Sequence, residues 1–373
     1  MRIGITCYPT YGGSGVVATE LGKKLAQIGH EVHFISYALP YRLNRFQSNL
    51  YFHEVEVLKY PLFEYPPYSL SLASKMTEVV ESAQLDILHV HYAIPHASSA
   101  YLAREMSDGK RLKFITTLHG TDITLIGSDP SYLKIVKFSI EQSNGVTAVS
   151  AYLRDETKRI FDIQQPIEVI PNFIPDDFLI AEPSHDMRNC CAKKDEYILT
   201  HISNFRPLKR VTDLIYVIEK VIQHHKVKLL MVGDGPERFT AERLCKELGL
   251  CDKIVFMGKQ ENVSEILAVT DLFLLPSENE SFGLAVLEAL ACGVPCVTTD
   301  AGGLPEVNIH GTTGFTSKVG DIEAYSDFII ELLSNHELRS KFSRNAREIS
   351  RERFSADRIV PQYISYYENI LNL

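Results

Sequence analysis

The sequence predicts an α/β chain made of two doubly wound parallel-sheet domains. Short, continuous apolar runs of strand length alternate with helix-length segments, the pattern of strands covered on both faces. The alternation comes as two series, separated by a stretch over 170–191 that carries Pro171, Pro175 and Pro183 and little periodicity. The 373 residues suffice for two domains at roughly 150 residues each.

In the first series the runs RIGITC (2–7), VHFIS (32–36), DILHVH (86–91), KFITTL (113–118), GVTAV (145–149) and IEVI (167–170) read as strands. YFHEVEVL (51–58) alternates with period two and reads as an exposed or edge strand. Helices are expected over segments such as 16–29 and 131–143. The second series offers YILTHIS (197–203), VKLLMVG (227–233), KIVFMG (253–258), DLFLLP (271–276) and PCVTT (295–299), with helices near 210–223, 237–248, 283–292 and 321–333. The expected division is a first domain over 1–169, an interdomain connection over 170–191 and a second domain over 192–354. The C-terminal helix (355–373), with Pro361, Tyr363, Tyr366 and Tyr367, either completes the first domain or caps the second.

Composition narrows the class. With 45% hydrophobic and 23% charged residues the chain is an ordinary globular protein. Its net charge of −9 makes nucleic acid a poor partner, since phosphates demand a positive face. Seven scattered cysteines, with no C-x-x-C pair, fit a reducing compartment and give no structural zinc pattern. The start MRIGITCYPTYGG reads as neither signal peptide nor anchor, and no run reaches the ~20 apolar residues of a membrane helix. A soluble cytoplasmic protein is expected.

In parallel sheets ligands bind beyond the carboxyl ends of the strands, so motifs that follow strands come first. After the first strand, Gly12, Gly13 and Gly15 permit close backbone approach at a helix start, suited either to an anion or simply to a tight turn. SNFRPLKRVTDL sets Arg206, Lys209 and Arg210 at a strand-to-helix junction. Cations beside the positive end of a helix dipole are unfavourable without a compensating anion, which favours a diphosphate clamp over a solvated helix start. PSENESFGLAVLEALACGVP brings Glu280 and Glu288 to a helix expected to begin near Gly283, with the N–H groups of Phe282, Gly283 and Leu284 free. Carboxylates accept paired hydrogen bonds from vicinal hydroxyls, as on a sugar and a ribose.

Together, ESFGLAVLEALACGVPCV, AGGLPEV (301–307), VGDGPE (232–237), GGSG, GHEV (29–32), DILHVH, TLHGTD (117–122) and IPNFI (170–174) resemble the retaining glycosyltransferases of family four over nearly the whole chain. The resemblance implies the GT-B architecture, two Rossmann-like domains facing a central cleft. It implies that Glu280, with the N–H groups of Phe282, Gly283 and Leu284, contacts the donor sugar, that Glu288 accepts the ribose hydroxyls, and that Lys209 and the N–H of Gly13 meet the diphosphate. The family's second diphosphate cation falls on Asn204 here, and Arg206 is its candidate replacement. His119 in TLHGTD matches a histidine at the donor sugar. Catalytic roles thus fall on His119, Glu280, Lys209 and Arg206. His89, His91 and His96 are read as packing residues, with no metal site among them.

Within the family, GSGVVATELG, HVHYAIPHA and TLHGTD are most similar to a member that transfers N-acetylglucosamine from UDP-GlcNAc to L-malate in bacillithiol biosynthesis. The implied reaction retains configuration and gives GlcNAc-α-malate and UDP, with no cofactor required; magnesium accompanying the nucleotide is compatible with it. A dicarboxylate acceptor needs a cation and hydroxyl donors. Arg154 is the candidate cation, with Ser14, Tyr92 and Thr121 beside it; a surface pair between Arg154 and Asp155 or Glu156 explains the arginine nearly as well. A lipid or saccharide acceptor and a UDP-GlcNAc epimerase remain alternatives. Residues 1–168 carry 16 Lys/Arg against 17 Asp/Glu, with KRLK (110–113) the notable basic cluster, so stable membrane association is not expected. A homo-oligomer is compatible with the sequence.

Overall fold

A computed structural model describes residues 1–10, 12–43, 46–58, 60–107, 112–127 and 129–372. The chain divides into two compact units, one of Met1–Phe173 with Ala356–Leu373 and one of Ile174–Ser355. Residues 174–191, part of the expected connection, therefore group with the second unit, where they form the short helices Asp176–Leu179 and His185–Cys191.

The first unit is built on seven parallel strands: β1 (Arg2–Thr6), β2 (Glu31–Ser36), β3 (Leu50–Glu54), β4 (Ile87–His91), β5 (Lys113–Leu118), β6 (Gly145–Ala148) and β7 (Glu168–Val169), in the order β3-β2-β1-β4-β5-β6-β7. Of the alternating segment 51–58, only the part up to Glu54 is strand, and it forms the edge strand β3. Successive strand residues go to opposite faces. Ile3, Ile5, Ile87 and Ile115 pack under the helix Gly13–Gln27 and the C-terminal helix Ala356–Asn372. Leu88, Val90 and Phe114 pack under the helix Tyr68–Ser82. The C-terminal helix contributes Ile359, Tyr363, Tyr367 and Ile370 to the first core. Lys113 of KRLK donates to the carbonyl of Ile370 at 3.1 Å; Lys110 and Arg111 lie outside the described residues.

The second unit has six parallel strands: β8 (Tyr197–Ser203), β9 (Val227–Gly233), β10 (Ile254–Gly258), β11 (Leu272–Leu275), β12 (Cys296–Thr299) and β13 (Gly314–Ser317), in the order β10-β9-β8-β11-β12-β13. Strand β13 is absent from the sequence reading: it has four residues and sits at the sheet edge just after the turn Gly311, Thr312 and Thr313. Leu199, Leu229, Met231, Leu272 and Leu274 pack under the helix Val211–Val221, while Ile198, Leu230 and Val232 face the other layer. Each such fully buried aliphatic side chain stabilises its unit by about 1.5–3 kcal/mol. In both sheets strand order reverses beside the first strand, between β1 and β4 and between β8 and β11, the switch point at which nucleotide ligands bind.

Candidate active site

On the second unit the loops that flank the switch carry the acidic and basic motifs. The loop after β8 holds Arg206 and Lys209; the loop after β11 holds Glu280. Glu278 N–H donates to the carbonyl of Leu208 at 2.8 Å, which ties the two loops together. Lys209 Nζ forms a very short ion pair with Glu280 Oε1, and both side chains are largely buried. Ser277 Oγ donates to the same carboxylate oxygen at 3.0 Å, and Thr299 Oγ1 donates to the carbonyl of Ser277 at 2.5 Å. Ser277 and Thr299 were not singled out from the sequence; only their position at the ends of β11 and β12 could have marked them.

Glycines let these backbones meet. Gly302 has φ of 61°, and a Cβ there would lie 2.0 Å from the carbonyl oxygen of Glu280. A Cβ on Gly303 would lie 2.4 Å from the carbonyl oxygen of Ser281. The AGG of AGGLPEV is thus the floor of the ENESFG loop. Gly283 turns at φ of 91° into the helix Leu284–Ala291. The first intrahelical bonds are those of Val286 and Leu287 to the Gly283 carbonyl, so the N–H groups of Gly283 and Leu284 at the helix start are not used inside it. Phe282 is buried against Phe354. Glu288 lies half-buried on the same helix; burial, with a smaller contribution from the Glu288 charge, pushes the Cys292 thiol up to about 12.

Arg206 is exposed, and its guanidinium makes no ion pair or hydrogen bond among the described residues. It caps the short turn Pro207–Lys209, in which the Lys209 N–H donates to the Arg206 carbonyl at 2.8 Å. Arg206 itself is extended, with φ of -80° and ψ of 158°, and stands just outside the turn that carries Lys209. Asn204 is exposed. Arg210, the third cation of the motif, is instead held by Asp213 at 2.7 Å.

On the first unit the loops after β1, β4 and β5 converge. Ser14 Oγ and Tyr92 Oη lie 2.8 Å apart, joining the two loops at the switch. A Cβ on Gly15 would lie 2.5 Å from the Tyr8 carbonyl oxygen, which accounts for one glycine of GGSG; Gly13 is exposed at the helix start. Tyr92 has φ of 89°, rare for an aromatic residue and the kind of strain that collects at functional loops. Its ring packs 5.3 Å from that of His119. His119 Nε2 lies 2.8 Å from His91 Nδ1, and His91 stacks on His89 at 4.4 Å. His89 is bonded to Tyr367 Oη at 2.8 Å and Thr117 Oγ1 at 2.6 Å, and His96 Nδ1 to the His91 carbonyl.

Burial in this stack pushes the imidazoles down, His89 and His119 to about 3 and His96 to about 4, and His91 well below its usual range. The half-buried His119 is therefore neutral at the mouth of the stack. Asp122, missed by the sequence reading beside Thr121, accepts the N–H groups of Ala93 at 2.8 Å, Gly120 at 3.0 Å and His119 at 3.4 Å. Burial pushes its carboxyl up to about 6 against those bonds. The D of HGTD was its signal. Thr121 is half-buried at the start of that turn. Arg154 lies on the helix Ala151–Phe161 after β6 and grips Asp155 through Nε at 2.7 Å and Nη2 at 3.1 Å, so here the neighbouring carboxylate engages the guanidinium.

Residues 11–178 match the Glycosyltransferase Family 4 description and residues 186–349 the Glycosyl transferases group 1 description. The chain is 51% identical over 372 residues to N-acetyl-alpha-D-glucosaminyl L-malate synthase of Bacillus anthracis, covering 100% of this chain and 97% of that protein. It is 26% identical over 348 residues to the phosphatidylinositol N-acetylglucosaminyltransferase gpi3 subunit of Schizosaccharomyces pombe, covering 90% and 73%. Among solved structures, Anabaena HepE in complex with UDP and glucose superposes with a TM-score of 0.82 at 18% identity, covering 99% of each chain. That likeness carries the fold, two Rossmann-like units of the GT-B class.

Two predictions follow the geometry of the loops and the stack. Gly302→Ala should abolish most activity, because its methyl group displaces the backbone that carries Glu280. Gly311→Ala has a similar φ of 72° but nothing within 4 Å, so it should lose only about 1–2 kcal/mol of stability and keep turnover; steady-state rates beside thermal melts check the pair. Secondly, buried His89, His91, His96 and His201 bind protons in the unfolded chain below its usual 6.5 but not in the fold. Each therefore removes up to about 1.4 kcal/mol of stability per pH unit as pH falls from 6.5. Asp122 acts oppositely, giving stability that is present below its unfolded value and lost as pH rises through about 6. The histidines outnumber it, so the melting temperature should fall steadily from pH 7 to pH 5; a flat profile would contradict the neutral stack.

Proposed function

The chain belongs to the family 4 glycosyltransferases, and on that premise we propose that it transfers N-acetylglucosamine from UDP-GlcNAc to the hydroxyl of L-malate. The products are GlcNAc-α-malate and UDP, the first step of bacillithiol biosynthesis, placed in the cytoplasm. The observation that carries this reading is 51% identity, over the whole chain, to a GlcNAc-malate synthase. Supporting it, a cation–carboxylate pair and a helix N-terminus meet at the switch point of the second unit.

Glu280 reads the donor sugar's hydroxyls, helped by the N–H groups of Phe282, Gly283 and Leu284, and Glu288 accepts those of the ribose. Lys209 and Arg206, with the Gly13 N–H, stabilise the negative charge that builds on the departing diphosphate. Configuration is retained by attack on the face the diphosphate leaves. The malate hydroxyl proton passes to a phosphate oxygen of the donor as the glycosidic bond to UDP breaks. Neutral His119 can hydrogen-bond a sugar hydroxyl without bringing a second positive charge to the site. Arg154 exchanges Asp155 for a malate carboxylate, and Ser14, Tyr92 and Thr121 supply hydroxyl contacts. No cofactor enters this scheme; the protein's own cations carry the leaving group.

The deciding experiment measures UDP release from UDP-GlcNAc with and without L-malate, with mass spectrometry of the products. Malate-dependent release and a GlcNAc-malate mass are expected. Release only with another acceptor would replace malate, and an altered sugar without UDP release would indicate an epimerase. Lys209→Ala should lower turnover by about 10²–10³-fold, as removal of an oxyanion-stabilising donor does. Arg154→Ala should raise the malate KM about tenfold or more, the loss of a charge-assisted bond, with the UDP-GlcNAc KM unmoved. An Arg154→Ala effect no larger than that of Arg159→Ala would remove Arg154 from the acceptor site.

A further inference from the structure

Strand β8 ends at Ser203, and the chain must turn at once to bring Lys209 against Glu280. Phe205, fully buried, makes that turn at φ of 39°. A left-handed backbone in a residue other than glycine needs outside support, since Cβ crowds the following carbonyl oxygen there. Part of the support is steric. A Cβ on Gly233 would lie 1.8 Å from the Ser203 carbonyl oxygen and one on Gly235 2.0 Å from that of Asn204, so VGDG lies flat against the loop. The Phe205 carbonyl accepts the Glu237 N–H at 2.9 Å.

The rest is a directed chain of hydrogen bonds. His201, fully buried in β8, has Nδ1 2.9 Å from the Leu274 carbonyl oxygen in β11 and Nε2 2.8 Å from Ser203 Oγ. Ser203 Oγ accepts the Phe205 N–H at 3.2 Å. A carbonyl only accepts, so Nδ1 carries the imidazole proton and Nε2 its lone pair. Ser203 must then donate its one hydrogen to Nε2, leaving its oxygen to receive the Phe205 N–H. Burial, with a smaller contribution from the charge of Lys209, pushes His201 down to about 4, so the neutral tautomer this chain requires is present at neutral pH. The chain begins in β11 and ends in the loop after β8, the two strands whose loops hold Glu280 and Lys209.

We propose that His201 and Ser203 are positioning residues for glycosyl transfer, holding the Arg206–Lys209 turn in register with Glu280. Neither side chain contacts Lys209 or Glu280 through a hydrogen bond in this chain; they act through the backbone of Phe205. The proposal rests on the donor-site reading of Lys209 and Glu280.

The test compares Ser203→Ala, His201→Asn, the double variant, His201→Gln and Lys209→Ala in steady-state transfer from UDP-GlcNAc to L-malate, with thermal melts alongside. An Asn amide can still donate to Leu274 but cannot reach Ser203; a Gln amide oxygen can accept from Ser203. If the relay positions the turn, Ser203→Ala and His201→Asn each lower kcat about tenfold, a modest share of what misplacement by an ångström does, while the UDP-GlcNAc KM stays within about threefold. The double variant is then no worse than the weaker single, because both break one chain. His201→Gln recovers kcat to within about threefold of wild type, a rescue that cavity or stability effects alone would not produce. Wild-type turnover in Ser203→Ala, with Lys209→Ala severely impaired, overturns the relay and leaves the donor site standing. Full turnover in Lys209→Ala overturns the donor assignment and the relay with it. Should His201→Asn fail to fold, Ser203→Ala, which removes one half-buried oxygen, decides.

Discussion

The reversal of strand order beside the first strand of each sheet is the constraint on which the site depends. Parallel strands are joined by right-handed crossovers, so strands added on either side of the first send their helices to opposite faces. The loops at the point of reversal diverge and leave their backbone groups uncovered. In the second unit those loops follow β8 and β11, and they bring Lys209 to Glu280 across 71 positions of sequence. The glycines then fall where neighbouring loops press on this pair: Gly233 and Gly235 against the β8 loop, Gly302 and Gly303 against the β11 loop. Motifs far apart in the chain, VGDG and AGG, are two supports of one structure.

The two units solve the electrostatics of burial in different ways. In the second, lysine and carboxylate neutralise one another, which offsets the desolvation of both, and Ser277 satisfies a further lone pair of the acid. Each ion has a different partner in the proposed reaction, the lysine a diphosphate and the acid a pair of hydroxyls. In the first unit the polar groups are kept neutral instead. Four imidazoles are stacked or bonded to one another with their charge suppressed by burial, and a carboxyl held toward protonation anchors the HGTD turn through three backbone N–H groups. Arg154, on the helix after β6, is engaged by the neighbouring Asp155; in the proposed reaction it exchanges that partner for an acceptor carboxylate.

How much of this was legible depended on range. Most strands from Arg2 to Thr299 announced themselves because a strand buried on both faces is apolar along most of its length, and the edge strand Leu50–Glu54 showed itself by period-two alternation. Gly314–Ser317 did not, since four residues at a sheet edge carry no such run. Glu280, Glu288 and Lys209 stood out through the motifs around them. Asp122 was passed over for Thr121, because only the folded turn shows three N–H groups aimed at one carboxylate.

The sequence by itself determined the alternation of elements, the division into two sheets, the family and the residue types at the ends of the strands, because periodicity and motif spacing are properties of neighbouring residues. Tertiary structure alone decided that Tyr363 and Tyr367 join the first core, that Arg210 is held by Asp213 while Arg206 is left exposed, and that His201 is a directed donor and acceptor rather than one more strand residue. Each of those outcomes depends on which atom stands within 3 Å of another. Packing fixes that distance, and for His201 the deciding carbonyl lies 73 residues away.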